Sequence, residues 1–188
     1  MATDGFLHPN RALEERGLSG RKGFPESYDL RRMIDFLRSV KAGQESFVPV
    51  YSHAAYDIRP DEVEVIRGPD VLIFEGLNVL QVPVGTSVAA SDFFDFSIYL
   101  DAAEADIERW FVERVLRLRQ TAFLDPASYF HHVSRLSPGE ARAMARDVWE
   151  RINRHNLREN ILPTRARARL VLTKGPDHAI REVTLRRT

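Results

Sequence analysis

The amino-acid sequence predicts an α/β fold, and three observations carry that expectation. Short apolar runs close on a charged residue, as in Val71–Phe74 before Glu75, Phe96–Leu100 before Asp101, and Leu170–Leu172 before Thr173-Lys174. Between them lie stretches with apolar residues every three or four positions, the period of a helix. No internal repeat or low-complexity linker interrupts the alternation, which is the pattern of layered strands and helices.

Residues 1–28 are rich in Gly, Pro and charge, and Asp4-Gly5-Phe6, His8-Pro9-Asn10 and Lys22-Gly23-Phe24-Pro25 read as turns around a short helical piece at Arg11–Arg16. Leu30, Met33, Ile34, Leu37 and Val40 then follow i, i+3, i+4, i+7 spacing and stop before Gly43, predicting a helix over 28–42. Val48–Tyr56 reads as extended, and Val63–Ile66 alternates as a short strand does. The continuous run Val71–Glu75 predicts a strand buried on both faces of a parallel sheet. A second strand, Phe96–Asp101, leads into a helix carrying Ile107, Trp110, Phe111, Arg114, Val115 and Leu118. After Pro126, Tyr129-Phe130-His131 opens a mixed segment. Ser137-Pro138-Gly139-Glu140 has the form of a helix start, with Ser137 as cap, and predicts a helix to about Arg151. Asn156–Asn160 leads to Ile161-Leu162-Pro163-Thr164, Leu170–Lys174 is a third strand, and Ile180–Arg186 alternates apolar with polar.

Composition bounds the function. The 188 residues, 44% hydrophobic and 29% charged, suit one ordinary globular domain, residues 1–188. Lys plus Arg equals Asp plus Glu at 27 each, so no global field favours nucleic acid or an anionic membrane. The absence of cysteine excludes disulfide frameworks, thiol catalysis and zinc–thiolate sites. Met1-Ala2-Thr3-Asp4-Gly5 does not open a signal peptide and no run approaches ~18 apolar residues, so the expected setting is the cytosol. No HExxH or GxSxG string points to a metalloprotease or serine hydrolase.

Ligands of open parallel sheets bind beyond the carboxyl ends of strands, which singles out Glu75, Asp101 and Lys174. Each acid there either faces a ligand or caps the helix that follows. Asp4 is a candidate general base or a turn acid, and Tyr51, Ser52, His53 and Tyr56 form a polar aromatic cluster that suits a small polar ligand or a half-buried structural histidine. Arg114, one turn after Trp110 on the largely buried face of an apolar helix, calls for a phosphate or a carboxylate partner.

Five strings taken together resemble bacterial type I pantothenate kinase: Thr3-Asp4-Gly5-Phe6-Leu7-His8-Pro9-Asn10, Lys22-Gly23-Phe24-Pro25-Glu26-Ser27-Tyr28, Pro49-Val50-Tyr51-Ser52-His53, Ile73-Phe74-Glu75-Gly76-Leu77-Asn78-Val79-Leu80 and Asn160-Ile161-Leu162-Pro163-Thr164-Arg165. The resemblance runs in order over essentially the whole chain. It implies a P-loop kinase fold, a three-layer parallel sheet with helices on both faces, and ATP-dependent phosphorylation of pantothenate to 4′-phosphopantothenate on the way to coenzyme A. It further implies Mg²⁺, a homodimer, and coenzyme A as feedback inhibitor. By the same resemblance Asp4 is the acid that orients or deprotonates the pantothenate hydroxyl, and Tyr51, His53, Tyr56 and Asn153 line the pantothenate pocket. Arg114 serves the transferring phosphates, Lys174 and His178 lie beside the adenine, and Glu75 stands close to Mg²⁺.

Two departures are visible. Phe111 stands where the family usually has Tyr, removing a phenolic hydroxyl and one hydrogen bond of about 0.5–1.5 kcal/mol. The phosphate cradle GxxxxGK[ST] is absent, since Lys22, Lys41 and Lys174 all lie outside any such string. In the family that motif precedes Thr-Asp-Gly-Phe, so the expectation is the pantothenate side of a kinase with little or no activity alone. The competing expectations are a non-catalytic pantothenate- or coenzyme A-binding protein, a subunit completed by another chain, and a kinase for another small alcohol such as a nucleoside.

Overall fold

A computed structural model describes residues 1–82 and 88–186. The chain divides into two compact units, Met1–His53 with Asp57–Asp95, and Ala54–Tyr56 with Phe96–Thr188.

In the first unit a short helix α1 (Asn10–Glu15) precedes α2 (Leu30–Lys41). The Asp29 carboxylate caps α2 by accepting from the Arg32 amide at 3.0 Å. The helix ends where Gly43 takes φ 69°, a left-handed conformation that costs glycine little. Met33, Phe36 and Leu37 are buried along one face, against Phe6, Leu7, Tyr28, Val48 and Ala90. Phe6 reaches this core from a 3₁₀ turn over Thr3–Phe6, its ring 5.5 Å from that of Phe36 and 6.0 Å from that of Phe74. Strands β1 (Ser46–Ser52) and β2 (Asp57–Ile66) form an antiparallel pair whose register shifts between Pro49 and Val50. Pro49 has no amide hydrogen to give the ladder, a cause sufficient for the slip. The expected extension to Tyr56 stops at Ser52, and Tyr56 turns left-handed at φ 54°.

The predicted strand Val71–Glu75 does not form, and its burial on both faces is corrected. Val71 is 80% and Ile73 73% exposed, while Leu72 and Phe74 pack against the core. Among the described residues the segment is tied along one edge. The Met1 ammonium donates to the Ile73 carbonyl, the Glu75 amide to the Met1 carbonyl, and the Thr3 amide to the Glu75 carbonyl, at 2.8–2.9 Å. Leu72 and Phe74 turn one face of the run to the core, and Val71 and Ile73 on the other face stay in water.

In the second unit β3 (Ile98–Ala102) pairs parallel with β4 (Leu170–Lys174), which pairs antiparallel with β5 (Ile180–Leu185). The α/β class is the one expected. Tyr99 and Val171 are buried on one face of this sheet, whereas Ile98, Leu100, Val183 and Leu185, in rows with Leu170 and Leu172, expose the other. Helix α3 (Glu104–Arg119) packs with α5 (Pro138–Val148), α4 (His131–Ser134) lying between them in sequence. Val112 on α3 and Ala141 and Ala145 on α5 are buried, the two methyl side chains one turn apart allowing close approach. The predicted cap is complete: Ser137 Oγ accepts from the Glu140 amide at 3.2 Å and the Glu140 carboxylate accepts from the Ser137 amide at 2.8 Å. Helical backbone continues past the expected end as a π-helical turn Trp149–Asn153, a short α6 (Arg154–Asn156) and a second π-helical turn Leu157–Ile161.

Candidate active site

Asp4 sits in the 3₁₀ turn that Gly5 presses onto β1. A Cβ on Gly5 would fall 2.5 Å from the Pro49 carbonyl oxygen and 2.7 Å from Val48 Cγ1. The turn brings Asp4 Oδ2 to 3.9 Å from His53 Nε2, and the Tyr51 ring meets the His53 ring edge-on at 5.2 Å. Three of the residues expected at a site, Asp4, Tyr51 and His53, thus share one patch of the first unit.

A fourth group joins them. Lys22 Nζ donates to Asn10 Oδ1 at 2.6 Å and lies 5.0 Å over the Tyr51 ring. Burial pulls this ammonium's pKa below its ordinary value, against the upward pull of the Asp57 and Asp4 carboxylates. Asp57 Oδ1 itself accepts from the Asn10 and Ile58 amides at 2.9 and 2.8 Å, tying the start of α1 to the start of β2. Sequence reading takes Lys22 as part of a glycine turn and passes over it. A signal was present, because only three of the chain's 27 basic side chains are lysines.

Chemically, the patch offers a carboxylate able to take a proton, with an imidazole and a phenol able to hydrogen-bond a polar substrate. Glu75 is exposed and the chain after it makes a turn at 77–80, so among the described residues it caps no helix. Among the described residues no three His, Asp or Glu side chains group as metal ligands. Glu75 by itself fits Mg²⁺, which takes one or two protein carboxylates and completes its shell with phosphate oxygens and water.

In the second unit a loop after β4 is fastened to α3. His178, left-handed at φ 67°, stacks its ring on Trp110 with centroids 4.1 Å apart, and Lys174 Nζ lies 4.8 Å over the same indole. Trp110 Nε1 and the Arg109 guanidinium both donate to the Pro176 carbonyl, at 3.1 and 2.7 Å. Lys174 and His178 are therefore brought together on Trp110, which sequence reading places only on a helix. An aromatic stack beside a cation fits a purine carrying phosphates.

Other expectations fare differently. Arg114 is exposed, not on a buried face, and makes no ion pair among the described residues. Asp101 does not cap α3 but accepts from Arg165 Nε at 2.7 Å. Tyr56 packs its ring on those of Tyr129 and Phe130, 5.1 and 4.9 Å away, and Asn153 is half-buried in the first π-helical turn. Phe111 lies 6.2 Å from Trp149, whose buried Nε1 has no partner among the described residues.

A family model described as Phosphoribulokinase / Uridine kinase family matches residues 15–121. The chain belongs to this family. The matched span holds Lys22, Tyr51, His53, Tyr56, Glu75 and Arg114, while Asp4, Asn153, Lys174 and His178 lie outside it. This phosphoribulokinase/uridine kinase family member is 58% identical over 189 residues to a pantothenate kinase of Sorangium cellulosum and 56% identical over 195 residues to one of Brevibacillus brevis. Both matches cover all of the chain, and the chain spans 61% of each relative's length. Its fold is similar to that of the phosphoribulokinase from Rhodobacter spheroides, with a TM-score of 0.59 at 16% identity, covering 95% of this chain and 63% of that one. Among the described residues of this family member no helix is long and apolar enough to cross a membrane.

Proposed function

We propose that this chain carries the acceptor side of an ATP-dependent pantothenate kinase, making 4′-phosphopantothenate in the first step towards coenzyme A. The observation that carries the reading is the Asp4 carboxylate 3.9 Å from His53, whose ring the Tyr51 ring meets edge-on, in a chain 58% identical to a pantothenate kinase. In the reaction the pantothenate hydroxyl oxygen bonds to the γ-phosphorus of ATP as the bond to the β–γ bridging oxygen breaks and ADP leaves. Asp4 takes the hydroxyl proton. In the first unit Tyr51 and His53 hold pantothenate; the roles of Tyr56 and Asn153 toward pantothenate, and of the uncommitted Arg114 guanidinium toward the equatorial oxygens, rest on the family resemblance. Lys174 and His178 hold the nucleotide, and Glu75 would hold Mg²⁺, which supplies charge neutralisation for the phosphates. A homodimer, feedback inhibition by coenzyme A and a cytoplasmic setting belong to the same reading and rest on the family resemblance.

Calorimetry together with a coupled kinase assay tests this. Pantothenate binding is expected, weakened roughly fivefold by Tyr51→Phe or His53→Ala, the equivalent of about 1 kcal/mol per hydrogen bond. These 188 residues contain no GxxxxGK[ST] string, so by themselves they are expected to show little or no turnover. Folded protein that binds no pantothenate would remove the reading.

A further inference from the structure

We propose that Arg109 is the positioning residue of the nucleotide side: its guanidinium pins the loop after β4 to α3, so that His178 stays stacked on Trp110 with its outer face open to a purine. The role rests on the reading of Lys174 and His178 as the residues that hold the nucleotide. A base gains most from a ring already held in place, because ordering a free side chain on binding subtracts from the affinity. His178 needs such holding, since a non-glycine residue at φ 67° persists where its surroundings over-determine it.

The loop is closed on itself by local bonds. The Gly175 amide donates to the Ala179 carbonyl at 2.8 Å, the His178 amide to the Gly175 carbonyl at 3.0 Å, and the Ala179 amide to Asp177 Oδ1 at 3.2 Å. These bonds shape the turn and leave its angle to the helix to be set from α3. Arg109 sets it by donating to the Pro176 carbonyl at 2.7 Å, beside the Trp110 Nε1 donor at 3.1 Å. The guanidinium is itself oriented along the helix, donating to Asp106 one turn before it at 2.9 Å and to Glu113 one turn after it at 3.5 Å. Two carboxylates thus compensate its charge, which separates Arg109 from a phosphate ligand and makes it a residue that acts through His178. Trp110 covers one face of the imidazole, with centroids 4.1 Å apart and planes 23° from parallel, while His178 as a whole stays exposed. A base therefore stacks on the opposite face, with the Lys174 ammonium, 4.8 Å over the same indole, near enough to serve the phosphates.

Proton NMR of the His178 ring and calorimetry with ADP, both on the whole chain, test this without requiring turnover. Ring currents from the indole should hold the His178 ring protons upfield of ordinary histidine values. Arg109→Gln should move them back towards those values and weaken ADP roughly fivefold, the worth of one ordinary hydrogen bond, and Arg109→Lys should restore most of both. In the unsubstituted protein ADP should shift the same protons further upfield, a signal that does not depend on any variant folding. His178 protons unmoved in folded Arg109→Gln, or an ADP affinity unchanged while they move, overturns the role of Arg109, as does ADP that returns them to ordinary values by displacing the ring from Trp110. If folded, unsubstituted protein binds no ADP while its His178 protons lie upfield, the nucleotide-side reading falls and this role falls with it.

Discussion

Where Asp4 stands depends on a missing atom at the next position. Any side chain on Gly5 meets the Pro49 carbonyl at 2.5 Å, and a carbonyl held in β1 cannot swing aside. Gly5→Ala should therefore cost about 1–3 kcal/mol, the usual penalty for overpacking, and lower the melting temperature by several degrees. An unchanged melt would mean that the turn is not clamped on β1. Much of this patch is legible in the sequence, because Asp4, Tyr51 and His53 fall in strings whose residue types announce polar chemistry. Lys22 is not, since its meaning comes from the neighbours that folding brings to it: Asn10, Tyr51, Asp57 and Asp4. The burial expected of Arg114 fails for a related reason, as helical spacing predicts which residues share a face but not how far a neighbouring loop covers it.

At the scale of elements, Glu104 opens α3, where a negative charge also complements the helix dipole. Its carboxylate accepts two hydrogen bonds from Arg158 at 2.8 Å and lies 3.3 Å from Arg154. The Arg158 hydrogen bond holds its pKa below the usual carboxylate value, with the charges of Arg158 and Arg154 acting in the same direction. A depressed folded-state pKa adds stability above the unfolded value, and that stability is lost as pH falls through the folded one. The urea midpoint should therefore drop between pH 5 and about pH 3, and Glu104→Gln should lower it at pH 7 while flattening the acid slope. At this degree of exposure the pair contributes about 0.2–1 kcal/mol, and a variant with an unaltered acid slope would refute the linkage. α2 and the Ser137 cap are readable beforehand because their signals are local. The Val71–Glu75 strand is not, because an apolar run says that a segment seeks neighbours and cannot say how many it finds. Nor do the π-helical turns after α5 have a periodicity that marks them.

At the scale of the whole molecule, the α/β class follows from alternating strand and helix patterns, while exposure follows only from what is packed against each face. The sheet of β3, β4 and β5 leaves Ile98, Leu100, Val183 and Leu185 open, and Val71 and Ile73 are open in the other unit. Apolar surface of that kind binds hydrophobic dyes and promotes association. Dye fluorescence and light scattering should both rise with protein concentration, and the pair Leu100→Lys and Val183→Lys should suppress them; a dye-silent protein that scatters no light above its monomer level would contradict this. The scarcity of lysine has a practical side as well. Lys41 is held by the exposed Asp95 at 2.6 Å, Lys174 lies over Trp110, and Lys22 is half-buried beneath Asn10 and beside Tyr51. An amine-directed reagent thus meets three side chains in three distinguishable surroundings, and slow modification at Lys22 becomes a chemical gauge of whether Asn10 and Tyr51 are in place around it.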